Sequence, residues 1–195
     1  MTSIPFDEED AFNGPVRCLA FSGNSRYLVS SAGSTINLWD LKRRQLKATF
    51  GSHRAEVTCL STSSEGDVVS GDASGAVRIW DIKSGSSSSE IVRDERLEAC
   101  VECIVVSSTG PPRIAIGYSD GFVDVRNYLT LQSMRRTFNT ERERRVTDLS
   151  FRTNNHSFLK TSVADGRANL FVSSSPTFHP TAPRLGHINQ GKANY

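Results

Sequence analysis

The chain has 195 residues, 37% hydrophobic and 23% charged, with a formal net charge of +2. That is enough apolar material for a core, and too little charge for a strong general pull toward nucleic acid or an anionic membrane. Fourteen glycines, abundant serine and only two methionines favour short strands joined by tight turns over long helices. Residues 1–14 are acidic through Asp7, Glu8, Glu9 and Asp10 and lack the basic-then-apolar order of a secretory signal. They are read as a disordered N-terminus. No apolar run approaches the ~18 residues a membrane span needs. A cytosolic or nuclear protein with its four cysteines reduced is expected.

Four similar segments follow in chain order, at 15–50, 51–92, 93–138 and 139–172. Each is predicted to open on a strand of one template: Val16–Phe21, Val57–Leu60, Val101–Ile104 and Val146–Phe151. A second strand comes after a Ser/Gly/Asn-rich turn, at Tyr27–Ser31, Val68–Gly71, Ile114–Tyr118 and Phe158–Ser162. Turns with Gly33, Gly75, Gly121 and Gly166, where positive φ is cheap, lead to a third strand. That strand alternates apolar and polar residues, as one buried face requires. The anchors Trp39, Trp80, Arg126 and Phe171 are spaced by 41, 46 and 45 residues, a period that indicates the blades of a β-propeller. The tail, 173–195, carries three prolines and no alternation, and is read as disordered.

The pairs Trp39–Asp40 and Trp80–Asp81, with the strand template, make the chain resemble the WD-repeat family over about residues 13–172. The resemblance implies an all-β fold, here a partial propeller of about four blades of antiparallel strands. It also implies a buried hydrogen-bond chain of His, Ser/Thr, Asp and Trp within a blade. Repeat two is the best copy, with His53, Ser70 and Trp80 in place. The family's Asp position there holds Ser74, with Asp72 two residues earlier, so a broken chain is expected. Trp39 is the matching anchor of repeat one, while Asp120 and Asp165 stand at the turn position of repeats that lack the Trp. Within the family, the runs 36–42 and 53–59 look like the propeller of its centrosomal branch, which recruits γ-tubulin complexes to spindles.

Cys100 and Cys103 are the one pair that suggests metal or redox chemistry, but no second pair stands at ligand spacing. Cys103 shares its repeat position with Cys18 and Cys59, which reads as packing. His53, His156, His179 and His187 form no set with a nucleophile, and no phosphate loop or nucleophile elbow occurs. A non-enzyme without metal or cofactor is expected. Lys42, Arg43 and Arg44, then Arg135 and Arg136, then Arg142, Arg144 and Arg145 are basic runs. On one rim they would form a basic patch for an acidic partner. The alternative is solvated loop charge. Ser84–Ser89 is read as a flexible loop.

Four repeats leave an open arc with two uncovered faces. Completion by a second copy, a partner or a longer form is expected, with the chain a truncated form of a larger propeller. The function expected is a protein-binding scaffold, at centrosomes or spindle poles in γ-tubulin recruitment and microtubule nucleation. Its rival is an adaptor in ubiquitin or RNA-processing machinery that reads a peptide or phosphate through the Arg135–Arg145 loops.

Overall fold

The computed structural model describes residues 14–51, 53–64, 66–84, 86–91, 99–107, 112–138, 145–151, 158–163 and 168–172. Among these, all regular structure is antiparallel strand. The first sheet is β1 (Val16–Phe21), β2 (Tyr27–Ala32), β3 (Thr35–Asp40) and β4 (Gln45–Gly51), paired in that order. The second is β5 (Val57–Thr62), β6 (Val68–Asp72), β7 (Val77–Asp81) and β8 (Ser86–Ile91). The third is β9 (Val101–Val106), β10 (Arg113–Tyr118), β11 (Phe122–Asn127) and β12 (Ser133–Phe138). The fourth has three strands among the described residues: β13 (Val146–Phe151), β14 (Phe158–Val163) and β15 (Ala168–Val172). Residues 1–13, 173–195, Asp165 and Gly166 lie outside the described residues. Ser86–Ser89, expected in a loop, instead runs along β8, paired with β7.

The first strands pack in series, β1 on β5, β5 on β9 and β9 on β13, so the sheets stand side by side like blades. Between each pair lies one apolar cluster. Val29, Ile36, Leu38 and Phe50 of the first blade meet Val57, Val68 and Trp80 of the second. Val69, Val77, Ile79 and Ile91 of the second meet Val101, Ile104, Ile114 and Ile116 of the third. Ala115, Val123 and Val125 then meet Val146, Leu149 and Leu159. Neighbours such as Val68 and Val69 point to opposite faces and enter different clusters, which is why β6 is buried along its whole length.

Two irregularities recur. In each blade the register shifts one residue after the leading Val, skipping Arg17, Thr58, Glu102 and Thr147. A bulge re-aims the extra side chain, and three of these four reach the next blade. Arg17 pairs with Glu56 at 3.1 Å, the Thr58 hydroxyl donates to the Val101 carbonyl, and Glu102 pairs with Arg145 at 3.1 Å. A second bulge, opposite the Trp position, skips Lys47 in β4 and Met134 in β12.

Close approach between blades needs a residue without a side chain at one point. A Cβ on Gly71 would lie 2.4 Å from Val101 Cγ1, and one on Gly117 would lie 2.7 Å from Val146 Cγ1. The preceding first strand supplies Cys59 or Cys103 beside each glycine. The repeat position of Cys59 and Cys103 is therefore the floor of an inter-blade notch, while Cys18 stands opposite Ser31 and donates to the Thr58 carbonyl at 3.0 Å. Burial raises the Cys18 thiol and pushes Cys103 up to about 12, which favours the protonated form. Cys59 is raised further, again mainly by burial.

Candidate functional site

Blade two holds a buried polar chain. His53 precedes β5, Ser70 and Asp72 lie on β6, and Trp80 lies on β7. His53 Nδ1 is 2.8 Å from Asp72 Oδ2, and His53 Nε2 is 2.6 Å from Ser70 Oγ. Trp80 Nε1–H donates to Ser70 Oγ at 2.8 Å. With a neutral ring, Nδ1–H donates to the carboxylate and the Ser70 hydroxyl donates to Nε2. Every polar atom in the line then has a partner, as burial demands. The Trp80 ring stacks on Phe50 of blade one, 5.3 Å between centroids, so the same residue ties the chain to the neighbouring blade.

The chain is not broken at Ser74. Asp72 takes the acidic role from the end of β6, where one carboxylate oxygen meets His53 and the other faces the turn. Oδ1 accepts the Ser74 hydroxyl at 2.6 Å, the Ser74 N–H at 2.9 Å and the Ala76 N–H at 3.0 Å. Gly75 makes the turn possible: its φ is +89°, and a Cβ there would lie 2.6 Å from the Ala99 carbonyl oxygen. Burial pushes the Asp72 carboxyl up, but hydrogen bonds from His53, Ser74 and Ala76 outweigh it and hold it below the usual range.

The connectivity Ser–His–Asp is that of a hydrolase triad, but the chemistry is not available to it. Ser70 is fully buried and its oxygen already accepts from Trp80, so no substrate carbonyl reaches it. The arrangement fixes strands.

The other blades depart from this chain. In blade one Trp39 Nε1–H donates to Ser30 at 2.8 Å. Asp40 caps the following turn through the N–H groups of Lys42 and Arg43, which hold its carboxyl low. In blade three Ile116 stands where blade two has Ser70, and Tyr118 stands where it has Asp72. Arg126, at the Trp position, pairs with Asp124 at 2.8 Å and donates to the Leu131 carbonyl. Asp120 closes the β10–β11 turn by accepting from Phe122 N–H.

The described basic residues do not gather on one rim. Lys42, Arg43 and Arg44 form the exposed β3–β4 turn, at the end where the first strands finish. Arg145 lies just before β13, at the end where they start, and is paired with Glu102. Arg135 and Arg136 stand within β12 rather than in a loop, and Arg142 and Arg144 lie outside the described residues. What sequence reasoning missed is on the finishing rim, where Arg26, Lys47 and Lys83 from three separate turns and strands line a cleft of about 250 Å³.

No curated protein matches the chain. Residues 8–40 and 44–81 match the family model described as the WD domain, G-beta repeat, each match ending on a Trp-Asp pair. These two stretches carry WD repeats, and with the two further sheets stacked beside them the fold is a partial WD-repeat β-propeller.

Proposed function

We propose that the chain is a non-catalytic scaffold whose arc of blades is completed by another sheet and whose rims dock proteins. The observation that carries this reading is the bare face of β1. Val16, Leu19 and Phe21 are 43%, 61% and 62% exposed. The counterparts of Val16 (Val57, Val101 and Val146) and two of Leu19 (Ile104 and Leu149) are buried against the preceding blade, and the third, Leu60, is partly buried against it. Covering a large apolar side chain is worth about 1.5–3 kcal/mol, so three bare ones favour a covering sheet from a second copy or from a longer form.

Sedimentation velocity across a hundredfold concentration range tests the self-association route. Concentration-dependent oligomers that revert to monomer in Leu19→Asp/Phe21→Asp support it; a monomer at every concentration with a cooperative melt contradicts it. The likeness of residues 36–42 and 53–59 to the centrosomal branch makes spindle poles and γ-tubulin recruitment the first address to examine. A tagged chain that stays diffuse in dividing cells removes that address and leaves the scaffold reading standing.

A further inference from the structure

A β-strand usually hides its lysines from the neighbouring sheet, yet Lys47 is turned toward one. It is the bulged residue of β4, and its ammonium donates to the Ile82 carbonyl of blade two at 3.2 Å. On the way it lies 4.4 Å from the centroid of the Tyr27 ring and 3.4 Å from the Tyr27 hydroxyl. Arg26 sits over the same ring at 5.1 Å. From the other side the β7–β8 turn brings Lys83, and the lining of the cleft so formed includes Arg26, Tyr27, Lys47, Asp67, Asp81 and Lys83.

The cleft itself sets three cations, Arg26, Lys47 and Lys83, against the lining carboxylates Asp67 and Asp81, and the excess of positive charge comes from the turn beside it. Lys47 and Lys83 enter no ion pair with a carboxylate among the described residues, while Arg26 shares Asp40 at 3.3 Å. Asp67 is already engaged by the Tyr128 hydroxyl at 2.8 Å. Asp81 is engaged by the Lys83 and Ser84 N–H groups, which with the nearby Lys83 charge hold its carboxyl low. Beside the cleft the exposed turn of Lys42, Arg43 and Arg44 adds three cations against the buried Asp40. Among the described residues this rim segment presents six cationic side chains (Arg26, Lys42, Arg43, Arg44, Lys47, Lys83) to three carboxylates (Asp40, Asp67, Asp81).

We infer that this cleft between blades one and two binds an acidic peptide segment, one carboxylate reaching Lys47 and Lys83 and the flanking acids running over the Lys42–Arg44 turn. Arg26, Lys47 and Lys83 are exposed, and cations of one sign converging on a cleft focus their field on an incoming anion. The Tyr27 ring argues for a peptide over a single-stranded nucleic acid, because two cations already occupy the ring that a base would stack upon. The site deepens the scaffold reading by naming the chemistry of a docked partner. It is independent of how the arc is closed, so sedimentation and peptide binding fail separately.

The test is fluorescence anisotropy with a labelled ten-residue poly-glutamate peptide, a poly-glutamine peptide and a ten-nucleotide RNA, at 50 and 200 mM salt. Saturable binding of the glutamate peptide alone is expected, weakened at least tenfold by Lys47→Gln/Lys83→Gln and by the higher salt. Arg54→Gln, on the opposite rim, leaves binding within a factor of two. Thermal melts by circular dichroism confirm that each variant is folded. Absence of binding, equal binding by the double variant, or tighter binding of the RNA overturns the proposal. Should the double variant fail to fold, Lys83→Gln alone, on an exposed side chain, carries the same comparison with a loss of at least threefold expected and no loss overturning it.

Discussion

Blades two and three hold the same strand arrangement together with opposite chemistry. Blade two threads His53, Asp72, Ser70 and Trp80 into a buried hydrogen-bonded line. Blade three fills the Ser70 and Asp72 positions with Ile116 and Tyr118, and at the Trp position an Arg126–Asp124 pair replaces the indole. Both keep the bulge after the leading Val, the glycine that lets the next blade approach, and a thiol beneath it. The blade contact is therefore what these two blades share, and the polar chain is one of several ways to stiffen what stands behind it.

That contrast predicts unequal responses to similar substitutions. Asp72→Ala strands His53 Nδ1 and the Ala76 N–H in a buried site and frees the turn at Ser74, and is expected to cost about 3–5 kcal/mol in urea denaturation. The same network sets the acid limb. Because the folded Asp72 carboxyl titrates below its unfolded value, its contribution is complete above about pH 5 and is lost as pH falls through the folded value. Asp72→Asn should flatten that limb, and an unchanged limb would show that Asp72 is not a source of the acid sensitivity.

Next in size, Ile116→Ser places an unpartnered hydroxyl where blade three is apolar, costing about 2–4 kcal/mol by removing buried aliphatic surface. Parity with a conservative Ile116→Val would mean that the two blades are chemically interchangeable. Gly71→Ala and Gly117→Ala should each cost about 1–3 kcal/mol, alike in both blades, because the added methyl meets the next blade's valine. A large difference between the two would break the claim of a shared contact. Smallest is the charge swap Arg17→Glu/Glu56→Arg. The third and fourth blades already use the reversed order, Glu102 with Arg145, so the swap should stay within about 1 kcal/mol of wild type.

Much of this was legible in the sequence, for physical reasons that differ by element. The first-strand template and the Trp39 and Trp80 anchors announce themselves because alternation marks a strand, although β3 proves buried on both faces and β1 largely exposed. The substitution of Asp72 for Ser74 was not legible, since whether a carboxylate two residues away reaches His53 depends on how the Gly75 turn folds back. The basic runs were visible as composition, but strand direction decides their rim, and it separates Lys42–Arg44 from Arg145. The cleft was hidden for a similar reason. Lys47 looks like an outward strand residue until the bulge turns it toward Ile82, and Lys83 comes from a turn thirty-six residues later.

The most direct measurement compares alkylation rates of cysteines placed singly at Leu19, Ile104 and Leu149, read by peptide mass spectrometry on native protein at submicromolar concentration. These positions correspond across blades one, three and four, yet Leu19 is open to solvent and the other two face a neighbouring sheet. A row of blades with one bare leading face predicts fast modification at 19 and at least hundredfold protection at 104 and 149. Similar rates at all three sites would contradict it.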